Sequence, residues 1–310
     1  MKLASSVAVL IVLCLAVTAR AKEAGPHKVV RLPQVDLVVM EGTRTLRLYI
    51  TSAEVDRPMP VIIFSHGLGA SGAAYTALLE HWASHGYVCI APTHADSQTL
   101  LGRGARPDMR GWAERALDVR IVIDSLNPLQ EMYPQLRDRI DVSRIGVAGH
   151  SFGAYTAQLI GGATIDIPGV EKGRSFADHR PAAVLLMSPQ GTEQQGLTKQ
   201  SWREFAKAMM VMTGSEDRGV RGQDAQWRLE PFTFAPEGDK YAVLIEGANH
   251  FSFSGRLARG ENQQAIFDSI KAISLAFWDA HLKRDEEAKA RLQSGEVATS
   301  DHVTVQFQHK

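Results

Sequence analysis

Cysteine is almost absent from this chain: of 310 residues only Cys14 and Cys89 carry a thiol. Cys14 falls in a stretch that reads as a leader, with Lys2, an apolar run from about Val7 to Val17, then Ala19-Arg20-Ala21, the pattern of a secretory signal peptide. Leu13 before Cys14 argues against lipid attachment. After cleavage only Cys89 remains, so no intramolecular disulfide can form, and its place in "YVCIAP" suits a small core side chain. The core must then hold the fold, and a domain approaching 300 residues buries roughly three quarters of its unfolded surface. Net charge is lacking as well. The chain has 34 basic against 34 acidic residues, and loss of Lys2 and Arg20 with the leader leaves 32 against 34, a balance that gives a nucleic-acid partner no footing. Outside the leader no run reaches the ~18 apolar residues of a membrane helix, which excludes a stable anchor after cleavage. Repeats and low-complexity tracts are absent. The expectation is a leader over residues 1–21 and one catalytic domain over residues 22–310, secreted or periplasmic.

What is present is an alternation of strand and helix. "VDLVVM" and "TLRLYIT", joined by a turn containing Glu41-Gly42, read as an antiparallel hairpin at a sheet edge. From Val61 onward come short continuous apolar runs, "VIIF", "YVCIA", "IGVA", "AAVLLM", "AMMVM" and "YAVLI", which suit strands covered on both faces. Helical patterns over Ala73 to His85, Trp112 to Leu126, Ala154 to Gly161 and Gln263 to Leu282 lie between or after them, and "EEAKARLQSG" reads as a continuation of the last. The fold class is therefore α/β: a mostly parallel sheet with an N-terminal antiparallel hairpin, helices on both faces and no separate lid domain. Long loops remain at Thr93 to Gly111, Pro189 to Lys207 and Gly214 to Lys240, lengths that often carry function.

Gly149-His150-Ser151-Phe152-Gly153 stands between the strand "IGVA" and the helix "AYTAQLI". That is the setting of a nucleophile elbow, a sharp turn holding a serine Oγ out at the top of a sheet. Two glycines and a serine at this spacing recur by chance about once in ten chains of this length, so the flanking strand and helix carry the assignment. A serine hydroxyl needs a base, and His250 in "LIEGANHFSF" follows the last of the apolar runs, where the chain order serine, acid, histidine requires it. For the acid, "TGSEDRG" offers Asp217, with Glu216 beside it and Glu193 as alternatives. Oxyanion donors are expected from the backbone amides of Phe152, after the nucleophile, and Leu68, in "SHGLGA". His66 reads as a residue that shapes this loop. His94, Trp202, Trp227 and Phe251 are candidates to border a substrate pocket, together with Phe232 and Phe253. His81 and His85 read as positions on one helix, and taken with His94 they are not read as a metal site.

These pieces resemble the secreted, dienelactone-hydrolase-like branch of the α/β-hydrolases, near the platelet-activating-factor acetylhydrolases and bacterial polyester hydrolases. The resemblance runs through "SHGLGAS", "HWASHGYVCIAPTHADS", "RALDVRIVIDSL", "SRIGVAGHSFGAYTAQLI", "AAVLLMSPQG", "VMTGSEDRG", "EGANHFSFSG" and "AFWDAHLKRD". It implies a serine carboxylic ester hydrolase that needs no cofactor, with nucleophile Ser151, base His250, acid Asp217, and Leu68 and Phe152 at the oxyanion. Two departures stand out. Dienelactone hydrolases proper carry a cysteine where this chain has Ser151, and acetylhydrolases look to place their acid after the strand ending here in "MSPQG", which has none. The substrate is thus a small-molecule or polymeric ester, with small acyl groups favoured by the missing lid. Because a triad fixes the acyl-enzyme and not the acceptor, peptidase or acyltransferase chemistry is the alternative. A silent binding module would show a broken triad.

Overall fold

The computed structural model describes residues 24–39, 44–102, 104–255, 261–298 and 302–310. The expected leader and the Glu41-Gly42 turn lie outside the described residues. The strands are β1 Val29–Val39, β2 Arg44–Ala53, β3 Met59–Ser65, β4 Val88–Thr93, β5 Ile140–His150, β6 Thr164–Ile167, β7 Glu171–Ser175, β8 Pro181–Met187, β9 Ala208–Gly214, β10 Lys240–Ile245 and β11 Val305–His309. The helices are α1 Thr76–Ser84, α2 Gln98–Leu101, α3 Trp112–Asp124, α4 Leu126–Met132, α5 Phe152–Gly161, α6 Ala225–Phe234, α7 Glu261–Trp278 and α8 Glu286–Ser294.

Among the described residues nine strands form one sheet in the order β1-β2-β4-β3-β5-β8-β9-β10-β11. The six from β4 to β10 run parallel, while β1, β2 and β11 join antiparallel at the two ends. The continuous apolar runs are explained by burial on both faces. Val61 and Ile63 of β3, Val147 of β5 and Val184 and Leu186 of β8 enter one core with α3, α5 and α6. Their neighbours Ile62, Phe64, Ala148, Leu185 and Met187 enter a second with α1 and α7. Because side chains alternate along a strand, both sets must be apolar.

Four features depart from the sequence expectations. The edge hairpin is longer than read, beginning at Val29 with a register shift between Leu32 and Val35 around Pro33, since a proline withdraws a ladder donor. "EEAKARLQSG" does not continue α7: Arg284 turns left-handed at φ 59° and the Asp285 carboxylate caps α8 by accepting from the Glu287 and Ala288 amides at 3.0 Å. The expected loop Gly214 to Lys240 holds α6, whose Pro231 disguises it. The strands β6, β7 and β11 were not anticipated. β11 is only five residues long, and β6 and β7 form a separate hairpin whose second strand is wholly exposed.

Candidate active site

Ser151 joins β5 to α5 with φ 55° and ψ −119°, a left-handed backbone conformation that costs an ordinary side chain free energy and is kept where surrounding structure enforces it. Its amide donates to the Met187 carbonyl of β8 at 2.9 Å. The flanking glycines are sterically required: a Cβ on Gly149 would be driven into the Gly153 carbonyl, and one on Gly153 into the Ser65 carbonyl at the end of β3. The turn thus closes only when strand, helix and neighbouring strand touch backbone to backbone.

The loops after β9 and β10 bring the other two groups to this serine. His250 Nε2 lies 2.9 Å from Ser151 Oγ, and His250 Nδ1 lies 2.9 Å from Asp217 Oδ1. With Nδ1–H donated to the carboxylate, Nε2 keeps its lone pair toward the hydroxyl proton. Asp217 is fully buried. Burial pushes its pKa up, but the hydrogen bond from His250 and the Arg228 charge outweigh this and hold the carboxyl below its ordinary value. Thr213 Oγ1 donates to its second oxygen at 3.1 Å. Glu216 and Glu193, the alternative acids, both have exposed side chains. His150, beside the serine, is a linker: its Nε2–H donates to the His250 carbonyl at 2.8 Å, and its Nδ1 accepts from the Tyr75 hydroxyl at 2.7 Å. Burial and the neighbouring His250 lower its pKa to about 3, so it is neutral. The Tyr75 oxygen in turn accepts from the Gly67 amide at 3.1 Å, joining the histidine loop to the loop after β3.

That second loop carries Leu68. A Cβ on Gly67 would stand 3.6 Å from Ser151 Cβ, which places the loop against Ser151. The peptide units on both sides of Leu68 are pinned. Arg115 of α3 is buried; it donates to the His66 carbonyl at 2.6 Å and the Gly67 carbonyl at 3.3 Å, and grips Asp96 with two bonds of 2.8 Å. Asp96 accepts from the Gly69 amide at 2.9 Å. The guanidinium lies 4.4 Å from the centre of the Phe152 ring. Phe152 opens α5, where first-turn amides have no intrahelical acceptor. His66 shapes the loop as read, bonding the Gly67 carbonyl at 2.7 Å and accepting from the His94 amide at 2.9 Å.

Two expected pocket residues are corrected. His94 is completely buried in a relay of its own, with Nε2 2.8 Å from Ser65 Oγ and Nδ1 2.7 Å from Asp118, which also pairs with Arg44. It braces the sheet beneath the Leu68 loop and has no surface exposed to a substrate; burial keeps its imidazole well below its usual pKa. Trp202 is likewise fully buried, its indole donating to Gln158 Oε1 at 2.7 Å, because it plugs the core under the 189–207 loop. Trp227 is half-buried, donating to the Thr192 carbonyl at 2.9 Å. Phe251 is 59 % exposed and stands edge-on to the His250 ring. Of the remaining aromatics, Phe253 is fully buried and Phe232 nearly so. His81 and His85 sit one turn apart with ring centres 4.5 Å apart, and His85 Nδ1 bonds the His81 carbonyl at 2.8 Å.

Comparison with known proteins agrees with this architecture. A family model described as Chlorophyllase matches residues 17–164, just under half of the chain. Platelet-activating factor acetylhydrolases are similar over 31% of this chain and 30% of their own length, at 28% identity for Cavia porcellus and 31% for Bos taurus. Cutinase est2 of Thermobifida alba is 27% identical over 62% of this chain and 52% of its own. The chain is an α/β-hydrolase. It spans under a third of the acetylhydrolases it matches and about half of the cutinase.

Next to the Leu68 loop this α/β-hydrolase has a groove of about 700 Å³, running between Leu68, Met109 and Trp112 on one side and Ile165, Ile167 and Gln195 on the other. The sequence reading missed this groove because β6 was not seen. It also missed Arg115, Arg228, Ser188 and Tyr75. For the two arginines a signal existed: each is a lone cation on the apolar face of a helix, where an unpaired charge is not tolerated.

Proposed function

We propose that this α/β-hydrolase cleaves carboxylic esters through an acyl-enzyme on Ser151. The observation that carries the reading is the unbroken relay from Asp217 through His250 to Ser151, with both links at 2.9 Å. Ser151 Oγ attacks the ester carbonyl carbon while His250 Nε2 takes its proton, and Asp217 stabilises the imidazolium. The amides of Phe152 and Leu68 receive the developing oxyanion. Collapse breaks the C–O bond to the alcohol, which leaves with the proton from His250. Water, deprotonated by His250, then attacks the acyl carbon and releases the carboxylic acid and free Ser151.

Substrate orientation follows from proton delivery. The departing alcohol must lie at His250 Nε2, near the exposed ring of Phe251, so the acyl part extends toward Leu68 and its groove. A groove of about 700 Å³ holds far more than an acetyl group, so the acyl range extends beyond the small groups that a missing lid suggests. The names of the acetylhydrolase and cutinase relatives support ester chemistry. Export through a cleaved leader belongs to the same proposal, and Edman sequencing of the mature protein tests it: the chain should begin near Lys22.

Turnover of nitrophenyl acetate, butyrate and octanoate by wild type and Ser151→Ala tests the chemistry. Loss of at least about 10³-fold on all three is expected, since a triad acts as a unit. Activity retained by the variant overturns the reading.

A further inference from the structure

Arg228 is a buried cation beside the triad that the proposed mechanism leaves unused. It projects from α6, is 3 % exposed, and its guanidinium is surrounded. Nε pairs with Asp217 Oδ1 at 2.8 Å. One terminal nitrogen donates to the Ser188 and Pro189 carbonyls at 3.0 and 2.9 Å, and the other donates to the Arg218 carbonyl at 2.9 Å. The same second nitrogen stands 3.2 Å from His250 Nδ1. One side chain therefore ties the loop after β8, the loop after β9 and the imidazole together.

Two consequences follow. Ser188 holds a left-handed backbone, φ 54°, and its Oγ lies 2.7 Å from His250 Nδ1. The grip of Arg228 on the Ser188 carbonyl, with the Ser188 amide donating to Met212 at 2.7 Å, fixes that strained turn and aims the hydroxyl at the imidazole. In the productive tautomer Nδ1 carries a proton, so Arg228 cannot donate to it and acts there as a positive charge within about 3–4 Å. The groups facing His250 are Asp217 and Arg228, with the neutral His150 from β5, Ser188 and Ser151. Arg228 is the one fixed positive charge among them.

We infer that Arg228 is a positioning residue: its fork holds Asp217 and Ser188 in line with His250, and its charge opposes the imidazolium that forms when Ser151 gives up its proton. The inference rests on the ester-hydrolase reading. A lysine would keep the charge and lose the fork, whereas methionine or glutamine would lose the charge. Lysine is not an equivalent of arginine at a forked site.

The test is the pH profile of kcat/KM on nitrophenyl acetate, from pH 4.5 to 9, for wild type, Arg228→Met, Arg228→Gln and Arg228→Lys, with folding checked by circular dichroism. The acid limb should move up by about 1–3 pH units in the Met and Gln variants, the range for loss of a unit charge at this distance between water-like and protein-surface screening. In Arg228→Lys the limb should stay in place while kcat falls at every pH. An unmoved limb in both neutral variants, an equal shift in Arg228→Lys, or failure of both neutral variants to fold would overturn the assignment in favour of a purely architectural arginine. Failure of the underlying reading is distinguishable, because it would show in Ser151→Ala retaining wild-type turnover.

Discussion

Two adjacent carboxylates after β9 have opposite fates. Asp217 turns inward to His250 and Arg228, while Glu216 faces solvent. Asp217→Asn should therefore lower kcat by about 10³–10⁴-fold, because an amide permits the wrong imidazole tautomer, and Glu216→Gln should stay within about two-fold. Steady-state kinetics on nitrophenyl acetate decide between them. The meeting of Ser151, His250 and Asp217 was legible because each stands just after a strand end, in a fixed chain order. His94 was misread for the same reason: it too follows a strand end, but Ser65 and Asp118 draw it inward, and only coordinates show which way a loop histidine turns. Ser188 was invisible, since nothing in "MSPQG" announces a left-handed turn.

Among the elements, α3 does two jobs. Its apolar residues Val119 and Val122 pack on the sheet, and its Arg115 pins the Gly67 carbonyl before Leu68 directly and, through Asp96, the Gly69 amide after it. Arg115→Met should loosen an oxyanion donor and lower kcat by about 10²-fold with little change in KM; a fall confined to KM would contradict that role. The β6–β7 hairpin supplies the far wall of the groove. Filling it with Ile167→Trp should depress octanoate turnover several-fold relative to acetate, read as the ratio of the two rates. The parallel strands were legible as doubly buried runs. α6 was not, because Pro231 interrupts its pattern although Asp224 caps it by accepting from the Trp227 amide.

The described residues are held by two cores with no disulfide among them, and Cys89 is buried with its thiol pushed well above the usual range. The molecule's stability should depend on acid. Burial lowers the pKa of His66, His81, His94, His150 and His281. Below about pH 6.5 the unfolded chain takes up protons that these folded imidazoles refuse, so each removes up to about 1.4 kcal/mol per pH unit as pH falls. Asp118, raised to about 6 by burial, opposes them between pH 6 and 4. Urea unfolding should show a net loss of several kcal/mol from pH 7 to pH 5, and a flat profile would contradict the neutral, buried assignments. At this scale the α/β class was legible from the alternation of apolar runs and helices, whereas the closing strand β11 depends on pairing with β10, more than fifty residues earlier in the chain. The central claim is that one serine, activated across the molecule by His250 and Asp217, forms the covalent intermediate. Labelling with a fluorophosphonate followed by peptide mass spectrometry tests it most directly: a single adduct on Ser151, abolished by His250→Ala, is predicted, and an adduct elsewhere or none at all would contradict it.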